Sequence, residues 1–142
     1  MYDTFKYNFD NLIKIVDVLL SENGCPWDRE QTHETLITYM REECEEAVSA
    51  IQNNDMENLC EELGDVLLQV VFHAKLAEEE GFFNINDVTD SISRKMVSRH
   101  KHVFGDKAEK LTTGKEVEIS WERIKEEEKA EKEIKKRNLL KN

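Results

Sequence analysis

The segment "DMENLCEELGDVLLQVVFHAKLAEEEG", residues 55–81, decides the fold. Asp55 can start a helix and Gly81 can end one, which predicts a helix to about Glu80. Met56, Leu59, Cys60 and Leu63 recur on one face of it. From Val66 to Phe72 the helix is then apolar nearly all round, the pattern of a central helix covered on several sides.

On either side the same periodicity continues. Thr4 to about Ser21 reads as a first helix with Phe5, Phe9, Leu12, Val16 and Leu19 on one stripe. "SENGCPWDREQ" breaks it into a shaped loop holding Trp27, for which core capping and ligand contact are equal alternatives. Thr32 is a plausible N-cap for a second helix to about Gln52. Leu36, Ile37, Met40, Cys44, Ala47, Val48 and Ile51 form its expected buried stripe. A fourth helix is expected from Asn86 or Asp87 to about Val103, with Ile85, Val88, Ile92, Met96 and Val103 on one stripe. "FGDKAEKLTTGKEVE" reads as a loop. From Ile119 a charged helix follows, whose last dozen residues have little apolar face and are expected to fray or to act as an interaction tail. No stretch alternates convincingly, so no sheet is expected. The fold class is all-α: a four-helix bundle-like domain over residues 1–128 and a charged helical tail over 129–142.

Composition narrows the function. The chain has 142 residues, five glycines, one proline and a formal net charge of −11. So acidic a chain lacks the basic footprint that a nucleic-acid polymer requires. The longest apolar run, "VLLQVVF", is too short to span a bilayer. Cys25, Cys44 and Cys60 match neither a zinc spacing nor a disulfide framework. The opening "MYDTFKYNFD" has acidic and polar residues where a signal peptide needs an apolar run. The expectation is a reduced, cytoplasmic protein without a membrane or nucleic-acid partner.

Two acidic motifs carry chemistry. In "REECEEA", residues 41–47, Glu43 and Glu46 lie one turn apart on the flank of the apolar stripe, whereas Glu42 and Glu45 point more towards solvent. In "EELGD", residues 61–65, Glu62 and Asp65 repeat the i, i+3 pair just before the most buried run. A short connection would pack the two helices antiparallel and let the pairs face each other. Four hard oxygen donors suit Mg²⁺ or Mn²⁺ better than zinc. A solvated acidic face remains the alternative. Gly64 could admit a close neighbour or ligand. Arg99 falls inside the stripe of the fourth helix with Lys95 at its edge, to be answered by a carboxylate or a phosphate. His73 reads as a hydrogen-bonded core residue. His100 and His102 could approach phosphate or simply favour a helix C-terminus. Cys44 and Cys60 read as core residues.

Together "GCPWDREQTHETL", "REECEEAVSAI", "EELGDVLLQVVFHAKLAEEEGFFNINDV" and "KMVSRHKHVFGD" resemble the MazG family of nucleoside triphosphate pyrophosphohydrolases, over roughly residues 9–128. The family pattern EExxE followed by ExxD falls on Glu42, Glu43, Glu46, Glu62 and Asp65. The resemblance implies metal ligands at Glu43, Glu46, Glu62 and Asp65, with Glu42 assisting the metal or the attacking water; catalysis would centre on Glu42 and Glu43. It implies that Lys95 and Arg99 hold the triphosphate, and that Trp27 and Trp121 line the nucleotide site. It further implies an all-α homodimer or higher oligomer and Mg²⁺-dependent hydrolysis between the α- and β-phosphates, to monophosphate and pyrophosphate. This would clear nucleotide pools. The alternatives are a specialised dUTP/dCTP-type pyrophosphatase, a helical metal carrier or di-iron bundle, and a non-catalytic interaction domain.

Overall fold

The computed structural model describes residues 5–105 and 110–141. The described residues contain helices and no strand: α1 Phe9–Leu19, α2 Pro26–Arg29, α3 Ile37–Gln52, α4 Met56–Glu79, α5 Ile85–Arg99, α6 Lys101–Phe104 and α7 Gly114–Leu140. They divide into two compact units, Met1–Val88 and Thr89–Asn142.

Local chemistry sets the helix ends. α1 begins at Phe9, later than the expected Thr4, which lies outside the described residues. Asn8 and Asn11 exchange side-chain-to-backbone bonds of 2.9 Å in a capping box, which fixes the start there. The "PW" loop contains one helical turn, α2, opened by Pro26, whose missing N–H costs nothing at that position. A Cβ at Gly24 would run into the Leu19 carbonyl, so only glycine lets the chain fold back there. Thr32 bonds Thr35 within a turn, and α3 proper starts only at Ile37. Between α3 and α4, Asn54 takes φ 54°, a left-handed conformation that asparagine tolerates, and Asp55 caps α4 by accepting from the Asn58 N–H at 3.1 Å. α4 ends as expected, with Gly81 at φ 82°.

The remaining elements depart more from expectation. Asn84 and Asp87 cap α5 reciprocally, and the helix breaks at His100 instead of running to Val103. α7 starts at Gly114 under a Thr113 cap, inside the stretch read as loop; residues 106–109 of that stretch lie outside the described residues. The charged end stays helical to Leu140.

In the first unit the core gathers Val16 of α1, Leu20 that caps it, Leu36, and Val71, Phe72 and Leu76 of α4, with Leu12, Ile13, Leu68 and Ile85 packed against it. Lys75 reinforces the α1–α4 contact through Asp17 at 3.1 Å. α3 packs on α4 chiefly through small side chains, Ala47 and Ala50. The expected α3 stripe is therefore corrected: Ile37, Met40, Cys44, Val48 and Ile51 are exposed, as is Cys60 on α4. Periodicity marks an apolar face without saying what covers it, and alanines bring the two helices close while the larger residues flank the contact. In the second unit Ile124 is buried, and Ile92, Met96 and Val103 of the other expected stripe are exposed.

Phe72 is 5% exposed at the centre of the first core. Phe72→Ala is expected to cost about 3–5 kcal/mol, through lost transfer energy and the cavity left behind. Urea unfolding followed by far-ultraviolet circular dichroism checks this.

Candidate metal centre

The helical hairpin brings both acidic pairs together. One carboxylate oxygen from each of Glu43, Glu46, Glu62 and Asp65 falls in a group whose members all lie within 4.8 Å of one another. The antiparallel register explains it: a step of three residues forward on α3 meets a step of three back on α4. Glu42 and Glu45 are exposed and outside this group. A Cβ on Gly64 would meet nothing within 4 Å, so that glycine admits no close helix within this chain.

Four carboxylates so close cannot all ionise cheaply. The Glu62 carboxyl is pushed up to about 7, first by sharing a hydrogen bond with Glu46, then by burial and by the charges of Glu46, Asp65 and Glu43. Glu43 is also raised, first by burial and then by Asp65 and Glu46. Oε2 of Glu43 and Oε2 of Glu62 are buried without a hydrogen-bond partner. Orphaned anionic oxygens converging on one point are costly unless a cation or protons answer them. The donor set, all oxygen and all hard, fits a divalent cation of the Mg²⁺ or Mn²⁺ kind.

The other candidates lie elsewhere. Trp27 on α2 is half exposed and meets Tyr39 of α3 edge-to-face, with centroids 5.8 Å apart. His73 shares a 2.8 Å Nδ1–Nδ1 hydrogen bond with His33, as a hydrogen-bonded residue should. Its pKa is lowered, first by burial and then by His33. Lys95, Arg99 and Trp121 belong to the second unit. There Arg99 donates from Nη2 to Glu128 Oε2 at 3.1 Å, so a carboxylate answers it. The guanidinium holds the Glu128 carboxyl low, with Lys95 a smaller contributor. Arg99 Nε and Trp121 Nε1 are buried without a partner. His100 packs edge-on against Trp121 at 5.2 Å and bonds the Met96 carbonyl through Nδ1 at 2.6 Å, a local role at the helix end. Sequence reasoning missed Tyr39 and the His33–His73 pair. An aromatic four residues before Glu43 was the available signal for the first; nothing in the sequence pairs two histidines forty residues apart.

Residues 31–104, which contain the whole carboxylate cluster, match the MazG nucleotide pyrophosphohydrolase domain. The chain belongs to the MazG family. It is 48% identical over 124 residues to the nucleoside triphosphate pyrophosphohydrolase/pyrophosphatase MazG of Thermotoga maritima, covering 87% of this chain and 46% of that protein. The same figures hold for the nucleoside triphosphate pyrophosphohydrolase of Escherichia coli K12. This MazG-family chain thus spans about half the length of these curated relatives. Among solved structures, a crystallised MazG-related protein from Thermotoga maritima superposes with a TM-score of 0.68 at 27% identity, covering 82% of this chain and 98% of that one. No helix among the described residues is long and apolar enough to cross a membrane.

The raised carboxyls give metal-free protein an unusual pH response. A carboxyl whose folded pKa lies above its ordinary value adds stability while protonated, and that stability is lost as pH rises through the folded value. Melting temperature without metal is expected to fall from about pH 4.5, the ordinary value, to about pH 7, the raised Glu62 value, and to level off above it. Saturating Mg²⁺ should reverse the fall, and Glu62→Gln should flatten the metal-free profile. Differential scanning calorimetry across that range, with and without chelator, checks both.

Proposed function

We propose that this chain hydrolyses nucleoside triphosphates, ribo- or deoxyribo-, to the monophosphate and pyrophosphate, with Mg²⁺ as cofactor and Mn²⁺ as a substitute. The observation that carries the reading is the four-carboxylate cluster with two buried, unpartnered oxygens, standing inside the matched family domain. Glu43, Glu46, Glu62 and Asp65 would hold the metal. A divalent cation there supplies charge neutralisation at the phosphate oxygens and lowers the pKa of water.

The chain's own residues do the rest. With Glu46 and Glu62 both holding the cation, the proton these two carboxyls share would pass to bulk water. Glu42, beside the cluster in sequence and open to solvent, assists the metal site or the attacking water. Lys95 and Arg99 hold the triphosphate, the Arg99 fork exchanging its Glu128 carboxylate for phosphate oxygens. Trp27 and Trp121 line the nucleotide. Residues 1–128 would form the catalytic domain and 129–142 its charged tail. The protein would work in the cytoplasm, clearing nucleotide pools.

Product analysis tests this directly. With a nucleoside triphosphate and Mg²⁺, monophosphate and pyrophosphate are expected in equal amounts; diphosphate with orthophosphate, or no product at any metal concentration, would sink the reading. Losing even an outer partner of a metal ligand typically costs about 10–100-fold, so losing a direct ligand, in Glu43→Gln or Asp65→Asn, should lower the rate by about 100-fold or more. Circular dichroism should show the fold retained.

The exposed apolar side chains of the α3–α4 hairpin support assembly into a homodimer or higher oligomer. Met40, Val48 and Ile51 of α3, with Met56, Leu63 and Leu67 of α4, are too many for a solvated surface. Light scattering is expected to give at least twice the 16.7 kDa chain mass, and Val48→Glu should shift the protein towards monomer.

A further inference from the structure

Gln69 is the one polar residue in the described core, 9% exposed, and its Oε1 has no hydrogen-bond partner. It lies on α4 one turn beyond Asp65, on the same face as Glu62 and Asp65. On α3, Tyr39 lies one turn before Glu43. The antiparallel register that joins Glu43 to Asp65 therefore sets Tyr39 level with Gln69 on the facing helix. Tyr39 in turn meets Trp27, and both rings are open to solvent, at 40% and 51% exposure. One turn further along α4, His73 is tied to His33, which anchors the segment between α2 and α3 to this same helix.

A buried acceptor without a donor is costly, so its retention asks for a donor from outside the chain. We infer that Gln69 Oε1 accepts a hydrogen bond from a sugar hydroxyl of the nucleotide, beside an aromatic platform made by Tyr39 and Trp27. The spacing selects the sugar. One helical turn is 5.4 Å, about the reach from an α-phosphate at the carboxylate cluster to the hydroxyls of its own sugar. Aromatic faces take any nucleoside by stacking and discriminate weakly, whereas a buried acceptor penalises a ligand that lacks the matching donor. Gln69 would thus set the requirement for the sugar, and the aromatic pair would tolerate the base. This rests on the pyrophosphohydrolase reading for the choice of ligand.

The test is calorimetric binding of α,β-methylene nucleoside triphosphates in Mg²⁺, comparing the full ribose with its 2′-deoxy and 3′-deoxy forms. Wild-type protein is expected to lose about ten-fold in affinity when one of these hydroxyls is removed, the cost of leaving one buried acceptor unmatched. In Gln69→Met, of similar size without the acceptor, the preference should collapse to near unity, whereas Gln69→Glu keeps an acceptor and should keep it. A preference unchanged in Gln69→Met, or one that follows the base and ignores the sugar, overturns the inference. Should Gln69→Met fail to fold, equal wild-type affinity for all three sugars overturns it alone. If the analogues bind with the expected preference but hydrolysable triphosphates release no pyrophosphate, the activity reading fails and this site stands. If pyrophosphate is released and Gln69→Met discriminates as wild type does, only this inference fails.

Discussion

The mutual repulsion of four carboxylates on the α3–α4 hairpin is the constraint on which the rest of the structure depends. Nothing in the folding of two helices requires Glu43, Glu46, Glu62 and Asp65 to converge, and ordinary electrostatics opposes it. They are held because the hairpin is fixed by other means. Ala47 and Ala50 let α3 approach α4, the turn at Asn53–Asp55 sets the register, and α4 is anchored against α1 by Val71, Phe72 and Leu76. The protein spends packing energy elsewhere to hold an arrangement that is unfavourable until its charge is answered.

That division of labour explains where each kind of residue lies. The half of α4 that builds the core begins just after Asp65, so the carboxylates stand at the edge of the most rigid part of the unit. Asp65 and Glu46 remain exposed while Glu43 and Glu62 each bury an oxygen. The result is a cluster open on one side and desolvated on the other, where a shared proton becomes as stable as a charge and Glu62 titrates near neutrality. In the second unit the logic is reversed: Arg99 enters half-buried surroundings already paired with Glu128, and the pair is neutral as a whole.

Much of this was legible in the sequence. Helix periodicity located α1, α3, α4 and α5, and the caps at Asp55 and Gly81 bounded α4 to within a residue. The two i, i+3 acidic pairs were visible because helical spacing alone places their side chains on one flank. Burial was less legible. The stripe from Ile37 to Ile51 is as apolar as a core stripe, yet most of it is exposed in the isolated chain. Hydrophobicity identifies a face that avoids water without stating whether α4 or another copy covers it. Cys44 and Cys60 followed the same stripes and are exposed for the same reason. Helix starts follow the side-chain caps of Asn8 and Thr113, which periodicity and propensity alone do not locate.

By itself the sequence determined the all-α class, the α3–α4 hairpin and the identity of the acidic pairs, since each follows from interactions within a few residues along a helix. Only the tertiary structure decided that the two pairs share one point in space, that Arg99 is answered by Glu128, and that Gln69 is buried with its side-chain oxygen unpartnered. Those facts depend on the register between helices. Register is set by side-chain interdigitation and by the left-handed turn at Asn54, and the periodicity of either helix alone is indifferent to it.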